Sequence, residues 1–240
     1  RIIMIIGEGG VFILILMAGF WKIQQSIAKE IQLSQRQNNF MLSVTHELKT
    51  PLTSIQLALQ TLKKRNLKAE DQADLIAKAL GANQRLSSLI DNIINASRLE
   101  SNDFTPRLEI FPLKTFLQNK ATELKTTHKQ ASIILNCAVE IMHADTYMLE
   151  TIFNNLLENA IKYSGDNPKL EILVKQNGKF TEIIISDQGP GITAEEKQQI
   201  FKKFYRVGSE ISRSQKGSGL GLFITSEFIQ LHKGRIKCEN

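Results

Sequence analysis

Cysteine is scarce in this chain of 240 residues, because Cys137 and Cys238 are the only two. They lie far apart and neither has a Cys-x-x-Cys partner. The sequence therefore excludes a disulfide framework and predicts no cysteine-bound metal. Two isolated cysteines of this kind are typical of reduced thiols in an intracellular domain.

The chain also lacks an aromatic-rich basic patch, although its net charge is +6. Its lysines and arginines are scattered, so we predict that it does not bind nucleic acid. An excess of basic over acidic residues also suits a protein that lies against an anionic membrane surface. With 42% apolar residues, the chain can bury the core of one or two domains.

Glycine is absent between residues 23 and 66, and Pro51 is the only proline there. This absence predicts a long helix, and a second helix follows it. On both helices, apolar or small residues alternate between spacings of three and four, which is the seam pattern of a helical hairpin that pairs into a dimeric four-helix bundle. A hairpin alone buries such seams poorly, so we expect a homodimer. The seam positions are Met41, Thr45, Leu48, Leu52, Ile55, Leu59 and Leu62, then Leu75, Ala79, Ala82, Leu86, Leu89, Ile93 and Ala96.

Residues 1–21 form an apolar run that contains Glu8 and ends at Trp21. Such a run spans about 30 Å as a helix, enough for the hydrocarbon core of a bilayer. The cations that follow, Lys22 and Lys29, mark the next segment as cytoplasmic. We therefore predict a transmembrane helix in contact with lipid, in the inner (cytoplasmic) membrane, with the rest of the chain in the cytoplasm. A signal-peptide core and a buried helix are the alternatives, but no convincing cleavage site follows.

The remaining segments divide into a helical linker over residues 22–38, a helical hairpin domain over 39–101 and a second domain over 102–240. In the second domain, helices are predicted from Pro112 to Lys129, from Asp145 or Thr146 to Tyr163, after a cap at Thr193, and from Leu220 to about His232, closed by Gly234. Strands are predicted over 131–139, 170–175 and 180–186, the last two as a hairpin around Asn177-Gly178. This order favours an α+β sandwich with helices over one face of a mixed sheet.

The first helix carries the segment Thr45-His46-Glu47-Leu48-Lys49-Thr50-Pro51. Imidazole is a nucleophile near neutral pH, and the neighbouring Glu47 can act as a general base for its second proton. His46 and Thr50 are four residues apart and share a helix face. The other histidines, His128, His143 and His232, have no metal-ligand spacing and are interpreted as ordinary surface or half-buried residues.

Three further motifs follow in the second domain. Asn155 and Asn159 lie four apart on one helix, with Lys162 and Tyr163 one turn beyond. Asp187 ends an apolar strand and precedes Gly189 and Gly191, which permit close backbone approach. We interpret Asp187 as a buried carboxylate that needs a donor, and an Asx-turn cap is the alternative. Gly217, Gly219 and Gly221 open a helix whose amides are suited to phosphate.

In this order, these four motifs resemble the H-box, N-box, G1-box and G2-box of sensor histidine kinases of two-component systems. The resemblance implies a HisKA domain and a Bergerat-type (GHKL) ATP-binding domain, with ATP and Mg²⁺ as cofactors. It also implies a response regulator receiver domain as partner, and a membrane-bound kinase. In that family at least one more core strand and its hairpin follow the last strand, so we expect the physiological protein to continue beyond Asn240.

The resemblance further implies the role of each residue. His46 would be the phosphoacceptor and Glu47 its general base. Thr50 would position water for phosphatase activity on the regulator. Asn159 would bind Mg²⁺, and Asp187 would accept the adenine amine. Residues 195–215 would form a mobile lid that contains Arg206, placed at the γ-phosphate. The remaining ATP-binding positions are Asn155, Lys162, Tyr163, Gly189, Gly191, Gly217, Gly219 and Gly221.

Two alternatives remain open. The first is another ATPase of the same fold, which would share the last three motifs but not the helical segment around His46. The second is a catalytically silent dimeric scaffold, whose signature would be lost magnesium or phosphate residues.

Overall fold

The structure is a computed structural model that describes residues 2–64, 67–101, 103–207 and 217–239. The side chains of residues 2–15 and of residue 36 fall outside this description. The part of the predicted lid beyond residue 207 also lies outside the described residues.

Two long helices form the first part of the molecule. Helix α1 extends over Ile2–Lys64 and helix α2 over Ala69–Glu100, and they pack against each other as a hairpin. The hairpin prediction is therefore confirmed. Pro51 lies inside α1, and the helix continues through it. The predicted linker over residues 22–38 is likewise helical.

No helix within the described residues combines the length and the apolar composition needed to cross a membrane. The predicted span over residues 1–21 falls largely on side chains that the structure does not describe. The membrane span stays a prediction from the sequence.

All members of the seam predicted on α2 are buried or half-buried, and Ile93 and Ala96 pack with the core of the second domain. On α1 the contact differs from the prediction. Val44, Pro51 and Ala58 are buried against the rest of the chain, whereas the predicted seam residues Leu52 and Leu59 are exposed. The physical reason is that α1 packs on α2 along one side, which leaves Leu52 and Leu59 uncovered by the described residues. The α1 seam is therefore shared between the hairpin contact and an uncovered apolar face.

The second part is an α+β domain. Its elements are β1 (Glu109–Phe111), α3 (Leu113–Thr127), β2 (Ser132–Cys137), β3 (Met142–Ala144), α4 (Thr146–Tyr163), β4 (Lys169–Asn177), β5 (Phe180–Ser186), α5 (Ala194–Lys197) and α6 (Gly221–Leu231). Strand β4 pairs parallel with β2 and antiparallel with β5, which gives the mixed sheet that was predicted. Strands β1 and β3 form a separate antiparallel pair that the sequence analysis missed.

Helices α4 and α6 pack against each other, and α4 also packs on β4 and β5. The core between these layers contains Phe153, Leu157, Ile172, Ile224 and Phe228. Burial of such side chains stabilises a fold by roughly 1.5–3 kcal/mol each. This packing fixes α4 relative to the start of α6, and both helices carry predicted site residues.

Local signals set the helix ends. Asp145 is the N-cap of α4, and its side chain accepts a hydrogen bond from the Met148 amide at 3.0 Å. Thr193 and Glu196 form a capping box at α5. The β4–β5 turn places Gly178 at φ +61°, so the predicted hairpin is confirmed.

The end of α6 differs in detail from the prediction. Lys233, not Gly234, adopts the left-handed conformation, with φ +59°. Gly234 is required for space instead, because a Cβ there would lie 3.0 Å from Ile229 Cγ2. His232 also has a structural role. Its Nδ1 is 2.7 Å from the Phe228 carbonyl, and its Nε2 accepts a hydrogen bond from the Asp145 amide at 3.0 Å. His232 thus joins the end of α6 to the start of α4.

Candidate active site

His46 is exposed on α1, whereas its neighbour Glu47 is buried, with 7% of its surface accessible. Adjacent helical residues point about 100° apart, so α1 directs these two side chains to different surroundings. Glu47 Oε1 has no hydrogen-bond partner among the described residues. The Glu47 carboxylate is close enough to the second domain to counter the effect of burial on the pKa of Lys162 and to add to it on the pKa of Tyr163, whereas His46 faces outward.

Thr50 is exposed one turn beyond His46. Its hydroxyl donates a hydrogen bond to the His46 carbonyl at 3.1 Å. This bond uses the hydroxyl proton and leaves oxygen lone pairs for a water molecule.

Helix α4 supplies four of the predicted site residues. Asn155 and Asn159 are half-buried on it, and Asn155 Nδ2 donates to the Gly221 carbonyl at 3.2 Å. This bond ties the middle of α4 to the start of α6. Lys162 follows, and its Nζ lies 4.9 Å from the centre of the Tyr163 ring. These contacts place the N-box residues beside the glycine loop.

Charged side chains of both domains affect the pKa of Lys162. Burial lowers the pKa of the Lys162 amine, and the nearby Glu47 carboxylate opposes that shift. Arg206 and Arg85 lower the pKa further because they add positive charge nearby. A buried cation in a cluster of positive charge is suited to an anionic ligand such as a phosphate.

At each of the three loop glycines, a Cβ atom would come close to an atom of a neighbouring residue. A Cβ on Gly217 would lie 3.0 Å from Lys162 Nζ, and one on Gly221 would lie 3.1 Å from Asn155 Oδ1. Gly219 has φ +71°, and a Cβ there would lie 2.9 Å from the Tyr205 carbonyl oxygen. The loop is thus packed onto the predicted N-box side chains and onto the segment before Arg206.

Asp187 differs from its prediction. It is exposed, not buried, and its Oδ1 accepts a hydrogen bond from the Gly189 amide at 2.7 Å. This is the Asx-turn arrangement that was the alternative interpretation. The strand ends before Asp187, so the carboxylate projects beyond the sheet. Gly189 nevertheless lies against α4, since its Cβ would be 3.4 Å from the Tyr163 carbonyl oxygen, and Gly191 has φ +72°.

Arg206 reaches the first domain. Its Nη1 donates to the Ser43 hydroxyl at 2.9 Å, three residues before His46 on α1. Two residues earlier, Phe204 stacks on Phe40 with ring centroids 4.1 Å apart. Lys203 forms an ion pair with Glu100 of α2. The segment around Arg206 is therefore docked on both helices of the hairpin.

Sequence reasoning missed Phe40 and Ser43. Both lie with Glu47 on one side of α1, at spacings of three and four. A search for a second face on α1, beside the dimer seam, would have revealed them. The structure brings these residues together with Lys162, Arg206 and Gly217, while His46 and Thr50 remain outside the contact.

Magnesium prefers hard oxygen ligands and commonly completes its coordination with water and substrate phosphates. Within the described part of the chain, acidic, histidine and cysteine side chains form no cluster that would hold a metal by themselves. The amide oxygen of Asn159, which is half-buried on α4, is the type of ligand that suits an ion arriving together with a nucleotide. The donor set is thus compatible with Mg²⁺ bound through ATP.

Two family models match the chain. Residues 36–102 match HisKA, the His Kinase A (phospho-acceptor) domain, and residues 144–240 match HATPase_c, the Histidine kinase-, DNA gyrase B-, and HSP90-like ATPase. The sensor protein kinase WalK of Staphylococcus aureus is 27% identical over 225 residues, which cover 92% of this chain and 54% of that protein. Longer forms of WalK are covered to 37%. The chain thus spans about half or less of the length of these relatives.

Solved structures give the same picture. The histidine kinase AdeS of Acinetobacter baumannii is 27% identical with a TM-score of 0.57, over 81% of this chain and 91% of that chain. ThkA, solved in complex with response regulator protein TrrA, is 21% identical with a TM-score of 0.53 over 88% of this chain and 62% of that one. At this identity the likeness to ThkA concerns the fold.

A helical hairpin with an exposed histidine, matched by the HisKA model, is joined here to an α+β domain matched by the HATPase_c model. The HisKA match excludes the gyrase and HSP90 branches of the ATPase family, which share only the second domain. The chain belongs to the sensor histidine kinases with HisKA and HATPase_c domains.

Proposed function

We propose that this chain transfers the γ-phosphoryl group of Mg-ATP to His46 and then passes it to an aspartate of a response regulator. The observation that carries the proposal is the meeting of the two domains. Lys162, Arg206 and Gly217 lie against the helix that bears His46, through Glu47 and Ser43.

In the reaction, a His46 ring nitrogen attacks the γ-phosphorus. The bond to the bridging β–γ oxygen breaks, and ADP leaves with that electron pair. The proton on the other ring nitrogen passes to a base, for which Glu47 is the candidate. Because Glu47 is buried whereas His46 is exposed, this role requires the Glu47 side chain to change orientation.

Phosphoryl transfer depends mainly on positioning and on neutralising charge. Lys162 and Arg206 supply positive charge, and amides at the start of α6 suit phosphate oxygens. Asn159 would hold Mg²⁺, with Asn155 on the phosphate side. When bound, the ion neutralises phosphate charge. Asp187 would accept a hydrogen bond from the adenine amine in place of the one it accepts from the Gly189 amide. Tyr163, Gly189 and Gly191 would line the nucleotide site.

The partner of the phosphorylated His46 is proposed to be a response regulator receiver domain. His46 and Thr50 are both exposed on α1, so a docked partner can reach them. ThkA, which shares the fold, is solved with a response regulator. Thr50 would orient water in the reverse, phosphatase reaction.

A homodimer and a membrane anchor complete the proposal. The exposed α1 seam supports the dimer, and the HisKA domain is a phospho-acceptor module. For the anchor, Leu16, Phe20 and Trp21 are exposed at the end of the apolar run. The kinase part would then lie on the cytoplasmic side. Fractionation of cells that express the whole protein tests this: recovery without membranes would contradict it.

Labelled ATP tests the activity. Wild-type protein should incorporate acid-labile label, and His46→Gln should incorporate none while still binding nucleotide. Asn159→Ala and Asp187→Asn should lose Mg-ATP affinity in calorimetry while the dimer persists. A wild-type protein that binds Mg-ATP but takes up no label would favour the silent scaffold.

A further inference from the structure

Ser43 occupies a distinctive position between the two domains. It is half-buried on α1, and its hydroxyl accepts a hydrogen bond from Arg206 Nη1 at 2.9 Å. The same hydroxyl lies 3.5 Å from the Gly217 carbonyl, to which it is directed as a donor. One side chain of the phosphoacceptor helix therefore contacts two separate motifs of the ATP-binding domain.

The side chains around this contact fix its geometry. Phe204 has a positive φ of 65°, a conformation that a bulky residue adopts only where its surroundings hold it. Its amide donates to the Gly219 carbonyl at 3.2 Å, and its ring stacks on Phe40. The strained residue thus directs one aromatic ring to α1 and leads the chain towards Arg206.

Ser43 and His46 are three residues apart, so they are neighbours on the helix surface. A guanidinium has five N–H donors in a planar fork. A bond from one of these donors to Ser43 therefore does not by itself prevent Arg206 from binding a phosphate oxygen. Through this bond, Arg206 is held at a fixed position relative to the helix that carries His46.

We propose that Ser43 is a positioning residue for phosphoryl transfer, which holds Arg206 against the phosphoacceptor helix one turn before His46. The proposal rests on the proposed function and adds a residue that the four motifs do not contain. Ser43 itself touches neither the nucleotide nor the reacting atoms, and it acts through Arg206.

The test uses the whole chain as it exists, with Ser43→Ala, Ser43→Thr and Thr53→Ala. Thr53 is the matched control, because it is exposed on the same helix and its hydroxyl donates within that helix, to the Lys49 carbonyl at 2.8 Å. Autophosphorylation is measured over a range of Mg-ATP concentrations. Ser43→Ala should lower kcat by about tenfold, the scale of one lost hydrogen bond to a charged group, with KM for ATP changed less than about twofold.

Ser43→Thr retains the hydroxyl and should recover most of the rate, and Thr53→Ala should equal the wild type. In an Arg206→Ala background, Ser43→Ala should have little further effect, because the two residues act as one unit. An unchanged kcat in Ser43→Ala, or a further tenfold loss in the double variant, would overturn the proposal.

Hydrogen exchange separates this inference from the proposed function. Without nucleotide, Ser43→Ala should exchange faster than Thr53→Ala at the amides of residues 203–206. If the wild-type protein takes up no phosphate at all, the proposed function fails. Independently of that result, equal exchange rates in Ser43→Ala and Thr53→Ala would contradict the Ser43–Arg206 contact.

Discussion

At the residue scale, Thr50 is the side chain whose role is easiest to separate from that of His46. It lies one turn further along the exposed side of α1, and its hydroxyl bonds to the His46 carbonyl. The oxygen lone pairs remain available to orient a water molecule, a positioning role that needs no proton transfer by Thr50 itself.

We predict that Thr50→Ala lowers regulator dephosphorylation by about tenfold or more, while autophosphorylation of His46 is largely kept. The expected loss corresponds to one positioning interaction. Both activities are measured on the same preparation, with Thr53→Ala as the control. Equal loss of both would mean that Thr50 only supports the helix next to Pro51.

Lys162 gives a prediction about pH. Burial lowers its pKa in the folded protein from the usual 10.5, so the unfolded chain binds more protons in the window just below that value. As pH rises through this window, the cost of burying the charged Lys162 amine is lost, so the free energy of unfolding increases.

Relative to Lys162→Met, the free energy of unfolding of the wild type should increase as pH is raised from 7 towards 10, by at most about 1.4 kcal/mol per pH unit. Denaturant titrations of the nucleotide-free proteins at several pH values give this difference. A difference that is flat, or that falls with pH, would show that the Lys162 amine is not desolvated.

Several residue positions follow from spacing alone, and others do not. Asn155 and Lys162 reach the glycine loop because helical periodicity fixes their face. Asp187 was expected to be buried, but a strand end does not determine how far the chain then turns outward. Ser43 carries no motif of its own, since its partner Arg206 is distant in sequence and only the docking of two domains joins them.

At the scale of elements, α1 presents two apolar faces. One contains Val44 and Ala58, which are buried, and the other contains Leu52 and Leu59, which are 57% and 58% exposed. An exposed apolar stripe at heptad spacing is typical of a helix that pairs with a second copy.

We predict that Leu52→Glu combined with Leu59→Glu converts the dimer to a monomer, because buried carboxylates at the seam cost several kcal/mol. Leu57→Glu is the matched control. Leu57 is also exposed, at 63%, but lies on the opposite side of α1 from that seam. Light scattering reads the outcome, and a dimer that survives the double change would contradict this assignment of the stripe.

The long helices, the hairpin and the caps were predictable because periodicity and capping residues are local signals. Asp145 and Thr193 cap their helices as expected. Strands β1 and β3 were missed, since each has only three residues. Their pairing joins segments on either side of α3 and β2, and a three-residue strand shows no alternation to detect.

At the scale of the whole molecule, the two domains are held together by polar and aromatic contacts at both ends of the interface. Besides the contacts of Ser43 and Phe40, buried Asn95 of α2 donates to the Tyr147 hydroxyl of α4 at 2.8 Å. The described arrangement presents the phosphate-binding cations to α1 while His46 faces outward. Transfer within one chain or between two chains therefore requires a rearrangement that brings the His46 side chain to the γ-phosphate.

The central claim is that His46 receives the γ-phosphoryl group of ATP. Its most direct test incubates the wild-type protein with Mg²⁺ and ATP labelled at either the γ- or the α-phosphate, followed by peptide mapping under alkaline conditions. The account predicts one acid-labile phosphate on the peptide that contains residue 46, label only from the γ position, and none in His46→Gln. Phosphate on another residue, or undiminished label in His46→Gln, would contradict it.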